Sequence, residues 1–284
     1  ARARQKLERP AATNPVLRDV LEKLDGVPVN RYDNAAFVKT DGRMEYVGGD
    51  RASLAGVDVS SHQGTVDWAK VAADGIDFVI IRCGGRYYGS GKVFEDKQFK
   101  SNIQGALDAG LQVGVYFFSQ ATNQTEALEE AQFVLDTIAD YPVDGPVVFD
   151  WENIGTDSAR TDGMTSAQVT AAANAFCGRI KAAGYQPMIY FNQYIGYLLY
   201  DLDQVTQYPF WLAEYTDKPT FYYHFEMWQY TSSGSVDGIT GKVDRNLWMP
   251  KEAPVRPDRP SQETEPGEDV EAMPPSQDIS REQS

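Results

Sequence analysis

Between Leu54 and Trp248, short apolar runs alternate with longer stretches whose apolar positions recur every three or four residues. The runs read as strands over 56–59, 78–82, 112–118, 146–150, 187–191, 210–213, 225–229 and 242–244. The longer stretches read as helices around 68–73, 99–109, 125–139 and 166–183. Thr125 is a suitable N-cap for the third helix, which carries Leu128, Phe133, Val134 and Ile138. Ala109-Gly110 and Ala183-Gly184 close two helices and lead directly into strands. Such alternation implies βα units and a mostly parallel sheet, and eight strands suggest that the sheet closes. The span of roughly 195 residues is short against the ~250 typical of a complete eight-fold barrel. The later strands also follow one another too closely for full helices between them. The predicted fold class is α/β: an irregular (β/α) barrel, TIM-barrel-like, with reduced or missing helices in its last third.

The flanks pattern differently, which divides the chain into 1–53, 54–250 and 251–284. In the first region Asn14-Pro15 starts a helix and Gly26 stops it. Val16, Leu17, Val20, Leu21 and Leu24 form an apolar stripe between them, which most simply packs on the neighbouring domain. Residues 37–46 suggest a short hairpin around Asp41-Gly42. Beyond Pro250 the chain is rich in Pro, Glu, Ser, Gln and Asp and carries almost no large apolar side chains, so disorder is expected there.

Composition narrows the function classes. The formal net charge is −15, which argues against nucleic acid as a partner. Nine acids against four bases from Lys251 onward account for −5 of it. No apolar run approaches the ~20 residues needed to span a bilayer. The opening Ala1-Arg2-Ala3-Arg4-Gln5 is not a secretion leader, so any export signal or membrane anchor is expected to lie outside this sequence. Two cysteines and two histidines argue against a disulfide framework and a zinc site, and no cofactor or metal is expected. Cys83 and Cys177 read as buried free thiols, a bridge between them being the alternative.

The chemistry concentrates in Gly145-Pro146-Val147-Val148-Phe149-Asp150-Trp151-Glu152-Asn153. A strand buried on both faces ends there in two carboxylates two residues apart, so Asp150 and Glu152 face one way and Trp151 the other. Crowded carboxylates push their pKa values apart, favouring one proton donor and one charged partner, as glycoside hydrolysis requires. An isolated Asp-x-Glu would more often be a strand-end cap beside a solvated Glu. Other strand ends change that balance. The first ends in Asp58-Val59-Ser60-Ser61-His62-Gln63-Gly64, and the second in Arg82 before Gly84-Gly85-Arg86-Tyr87-Tyr88-Gly89. The later ones carry Tyr116 and Phe118, Tyr190 and Asn192, Trp211 and Glu214, Trp228-Gln229-Tyr230, and Asp244 with Asn246. Active sites of α/β folds gather at the carboxyl ends of strands. Gathered on one rim, these residues make an acidic floor bordered by aromatics, which suits sugar rings. Singly, a strand Trp or Tyr is more often core, and His62 more often a structural hydrogen-bonder.

Five segments together resemble the glycoside hydrolase family 25 lysozymes (Chalaropsis-type muramidases). They are Gly56-Val57-Asp58-Val59-Ser60-Ser61-His62-Gln63-Gly64, Gly114-Val115-Tyr116-Phe117-Phe118, Asp150-Trp151-Glu152, Trp228-Gln229-Tyr230 and Val243-Asp244-x-Asn246, in the family's order. The resemblance covers about Leu54 to Trp248. It implies cleavage of the β-1,4 bond between N-acetylmuramic acid and N-acetylglucosamine in peptidoglycan. It further implies Glu152 as general acid, with Asp150 beside it and Asp58 and Asp244 completing the acidic cluster. His62, Arg82, Tyr116, Phe118, Tyr190, Trp211, Trp228 and Gln229 are the candidate substrate-binding residues. The oxocarbenium-like centre is then met either by a carboxylate or by the substrate's own acetamido group, and the sequence leaves both routes open. A monomeric enzyme, secreted or tethered to the cell surface and acting on glycan strands, is expected. The alternative is a non-catalytic carbohydrate-binding barrel, which loss of the acid would mark.

Overall fold

The structure, a computed structural model, describes residues 23–49, 52–154 and 158–250. The helix expected before Gly26 lies outside them as far as residue 22, and so does the tail from Lys251. Two short strands, β1 (Phe37–Thr40) and β2 (Arg43–Tyr46), form an antiparallel hairpin. Both turn residues, Asp41 and Gly42, have positive φ (50° and 77°), the geometry that lets a two-residue turn follow the strand twist.

Nine strands make up the second sheet: β3 (Leu54–Val59), β4 (Phe78–Arg86), β5 (Val93–Glu95), β6 (Gln112–Ser119), β7 (Val147–Trp151), β8 (Pro187–Asn192), β9 (Phe210–Ala213), β10 (Met227–Gly234) and β11 (Val243–Trp248). Eight of them close a barrel in the order β3-β4-β6-β7-β8-β9-β10-β11, with β11 pairing back to β3 and β5 added at the end of β4. The pairs from β3 round to β10 are parallel, whereas β11 is antiparallel to both its neighbours. The first strands are followed by helices, the short α1 (Trp68–Ala73) and then the longer α2 (Phe99–Asp108), α3 (Gln124–Ile138) and α4 (Ser166–Ala182). After β8 come the six-residue α5 (Gln193–Leu198) and a 3-10 turn (Leu202–Gln204); among the described residues no helix separates β9 from β10, and β10 returns directly as β11. Two caps differ from expectation. α3 begins one residue early because Asn123, not Thr125, accepts the N–H of Glu126 (3.0 Å). Asn192, expected on the rim, caps α5 through the N–H of Ile195 (3.0 Å).

Strand alternation sorts the apolar residues into two layers. Phe78, Ile80, Val148, Met188, Trp211, Met227 and Trp248 point inward and fill the barrel. The other parity, including Val57, Val79, Ile81, Val113, Val115, Phe117, Val147, Phe149, Ile189 and Phe191, packs outward beneath the helices. On the helix-poor side this outer layer needs another cover, and the N-terminal segment supplies one. Phe37 meets Trp228 edge-on at 5.2 Å, the Tyr32 hydroxyl donates to the Phe225 carbonyl (2.9 Å), and Arg245 reaches the Gly42 carbonyl (3.3 Å). Val27, Phe37, Met44 and Tyr46 are buried in the same core. Cys83 and Cys177 are buried and free. Among the described residues no helix is long and apolar enough to cross a membrane.

Candidate active site

A pocket of about 220 Å³ opens at the carboxyl end of the parallel strands, lined by Asp58, Tyr116, Asp150, Glu152, Tyr190, Trp211, Tyr215, Gln229 and Asp244. Its floor is the inner core layer, and each polar lining residue continues the inward parity of its strand. Asp244 reaches this rim for a reason the sequence pattern did not carry. β11 runs antiparallel, so the start of that strand lies where the other strands end, and Asp244 pairs directly with Asp58. In ring order β7 lies four strands from β11, so Asp150 and Glu152 face Asp58 and Asp244 across the mouth.

Asp58 is held most closely. Its Oδ2 accepts from Gln229 Nε2 and Asn246 Nδ2, both at 2.8 Å. Gln229 Oε1 in turn accepts from the Tyr190 and Tyr215 hydroxyls (3.0 and 2.9 Å), and Asn246 Oδ1 from Trp211 Nε1 (2.9 Å). Each amide is thereby fixed in one orientation, with its N–H aimed at the carboxylate. Those bonds favour a charged Asp58. Burial, and after it the charge of Asp244, still pushes its pKa well above the usual carboxylate range. Burial lifts Asp244 to about 6. Asp150 is also held well above the ordinary value, first by burial and then by Glu152 and Asp58, with Arg82 opposing. Its Oδ1 is buried and has no hydrogen-bond partner among the described residues. A buried carboxyl oxygen left unsatisfied is costly and marks a functional position more readily than a structural one.

Glu152 lies one residue past β7, and its carbonyl accepts from Gln120 Nε2 (2.8 Å). Gln120 is fully buried and also takes the Thr161 hydroxyl on its Oε1 (3.1 Å). Arg160 bonds the Gln120 carbonyl (3.2 Å) and pairs with Glu126. One amide therefore ties the segment carrying Glu152 to the point where the chain returns.

The predicted residues divide cleanly. Asp58, Asp150, Glu152, Asp244, Tyr116, Tyr190, Trp211 and Gln229 converge on the pocket. Arg82 sits beside it, paired with Asp96 (2.6 Å) and bonded to the Ser61 hydroxyl (3.1 Å), and acts on Asp150 through charge. Phe118 is half-buried next to Asp150 in the β6–β7 register. His62 is exposed on the turn Ser61–Gln63 and does not line the pocket. Trp228 points the other way. Gln229 takes the inward position, so its neighbour is buried in the outer layer, donating to the Glu214 carbonyl (2.9 Å) beneath Phe37. Glu214 likewise has outward parity and holds the backbone and hydroxyl of Thr220. Tyr215 was missed, although Trp211, Ala213 and Tyr215 form one alternating series. Gln120 and Thr161 had no local signal. Among the described residues no group of three His, Cys, Asp or Glu is placed to hold a metal.

Comparison with known proteins identifies the family and the fold. The profile of the family described as "Glycosyl hydrolases family 25" matches residues 57–239. The "Autolytic lysozyme" of Clostridium acetobutylicum is 29% identical over 193 residues, covering 67% of this chain and 54% of that protein. The solved modular autolysin LytC from Streptococcus pneumoniae superposes with a TM-score of 0.62 at 29% identity, covering 75% of this chain and 52% of that one. LytC has also been solved in complex with a synthetic peptidoglycan ligand. A family 25 glycosyl hydrolase from Bacillus anthracis gives a TM-score of 0.60 at 25% identity, covering 73% and 94% of the two chains. The chain thus spans about half the length of the autolytic lysozyme and of LytC.

Proposed function

The chain belongs to glycosyl hydrolase family 25, and on that premise we propose that it is a muramidase. Its reaction is hydrolysis of the β-1,4 bond between N-acetylmuramic acid and N-acetylglucosamine in peptidoglycan. The observation that carries this reading is the facing of Asp150 and Glu152 against Asp58 and Asp244 in a pocket walled by Tyr116, Tyr190, Trp211 and Tyr215. Four carboxyl groups in so small a space disfavour full ionisation, which keeps a proton available near neutral pH.

Glu152 donates that proton to the glycosidic oxygen as the bond to the anomeric carbon breaks. Positive charge then develops on the sugar ring, and the carboxylates across the pocket stabilise it. Among them Asp58 has amide donors already oriented toward its charged form, which need no rearrangement as charge appears. Water then adds its hydroxyl to the anomeric carbon and returns a proton to Glu152. Tyr116, Tyr190, Trp211 and Gln229 orient the sugars at the bond. The substrate lies outside the plasma membrane, so the enzyme works at the cell surface or beyond it.

The bond assignment is tested by digesting purified peptidoglycan, reducing the products and identifying the reduced sugar by mass spectrometry. Muramitol ends are expected. Glucosaminitol ends would replace the muramidase reading with a glucosaminidase one, and binding without cleavage would leave a wall-binding module.

A further inference from the structure

Among the described residues three tyrosines are more than two-fifths exposed: Tyr87 (52%), Tyr88 (47%) and Tyr215 (44%). All three stand at the pocket end of the barrel, Tyr215 just past β9 and the other two on the hairpin joining β4 to β5. In the closed ring β4 lies four strands from β9, as β7 does from β11. A line from Tyr215 to the hairpin therefore crosses the mouth between the two pairs of carboxyl groups.

The register shows what occupies the hairpin side. An irregularity between Arg82 and Gly84 inserts Cys83 and reverses the parity of the strand beyond it. Gly84 consequently faces outward, where an added Cβ would lie 2.8 Å from the Phe133 ring of α3. Arg86 also faces outward and is anchored to Glu130 (2.7 Å) and to the Gly91 and Glu126 carbonyls (2.8 and 3.1 Å). Gly85 and Tyr87 then face the mouth. Asp150 pairs with Phe118, Phe118 with Gly85 and Gly85 with Phe94, a path of three strand spacings or roughly 15 Å. A Cβ on Gly85 would meet Phe94 Cζ at 2.8 Å and Phe118 Cβ at 3.1 Å, so both side chains lie over that glycine. The Tyr87 ring continues the series, 4.4 Å from that of Phe94 with 32° between their planes. Phe118 and Phe94 are half-buried, leaving ring surface open beside the pocket.

We infer that Phe118, Phe94 and Tyr87 form a saccharide platform that holds the glycan strand on the β4 side of the acid pair, outside the pocket. The inference rests on the muramidase reading and extends it. A pocket of about 220 Å³ is smaller than the ~300–1,000 Å³ sites that enclose a small-molecule ligand, so a polymeric substrate continues beyond it. Ring faces in sequence suit the C–H faces of successive sugars. The hairpin is tied down by Arg86, by the Tyr87–Lys92 backbone bond (3.0 Å) and by the Arg160 N–H on the Tyr88 carbonyl (3.1 Å). Binding there therefore costs little ordering.

The test is calorimetric binding of a peptidoglycan disaccharide and of an octasaccharide to protein carrying Glu152→Gln, with the recovered ligands checked by mass spectrometry to be uncleaved. Adding Tyr87→Ala is expected to weaken the octasaccharide tenfold or more and to leave the disaccharide within twofold, while Tyr87→Phe behaves as tyrosine. Tyr87 is exposed, and an unchanged thermal midpoint will verify folding. Octasaccharide affinity within twofold after Tyr87→Ala, or equal weakening of both ligands, would overturn the platform. A parent protein that cleaves nothing yet binds long glycans in a Tyr87-dependent way would sink the hydrolase reading alone.

Discussion

Asp244→Asn should stabilise the protein at neutral pH while impairing it as an enzyme. Burial raises the Asp244 pKa from 3.8 to about 6. The folded state thus holds that proton more tightly than the unfolded state does. The contribution to stability is complete below about pH 4 and is lost as pH rises through 6. Two pKa units at ~1.4 kcal/mol each give about 3 kcal/mol. The side chain is only part-buried, and solvent screening cuts this to about 1–2 kcal/mol. Removing the charge also relieves Asp58, its register partner, whose pKa Asp244 raises. For a chain of this size ~1 kcal/mol moves the melting temperature by about 2–4 °C. The variant should therefore melt roughly 2–8 °C above the parent at pH 7.5 and close to it at pH 4. Calorimetric scans of both proteins between those limits measure it. A variant less stable than the parent at pH 7.5, or a difference that does not change with pH, would refute the argument that the cluster is held under electrostatic cost.

Three further outcomes follow from other parts of the structure. Gln120→Leu removes the donor to the Glu152 carbonyl and the acceptor of Thr161; it should lower kcat on peptidoglycan by about 10–100-fold with KM nearly unchanged, and Thr161→Ser should lose little. Phe37→Ala empties a buried site against Trp228 and Tyr46; urea titration should show about 3–5 kcal/mol less stability, with activity per folded molecule retained. Arg86→Met leaves Glu130 buried without its cation, and burial already lifts that acid to about 7; about 3–5 kcal/mol of destabilisation is expected by denaturant titration, smaller below pH 7, where Glu130 takes up a proton.

Much of the barrel was legible because each parallel strand is buried on both faces and reads as an apolar run. Register was harder. Trp228 and Gln229 are neighbours of opposite parity, and only the closed ring decides that the glutamine faces in and the tryptophan out. The direction of β11 left no local trace, since Asp244 and Asn246 alternate identically whichever way the strand runs. The role of residues 27–46 was equally non-local. Phe37, Met44 and Tyr46 pattern as a hairpin, yet they cover strands almost 200 positions away where helices are lacking. The acids were visible as a group, whereas the amides and hydroxyls that hold Asp58 and the Glu152 backbone were not, because buried Gln, Thr and Tyr look ordinary until their partners are known.

The central claim is that Glu152 supplies the proton that breaks the glycosidic bond. Its most direct test is the initial rate of release of new reducing ends from purified peptidoglycan by the parent and by Glu152→Gln, at matched melting temperature and matched binding to the wall. A fall of about a thousandfold or more is predicted, since an amide preserves shape and removes the transferable proton. A Glu152→Gln protein working within tenfold of the parent would contradict the account and return the acid's role to another carboxyl group of the pocket.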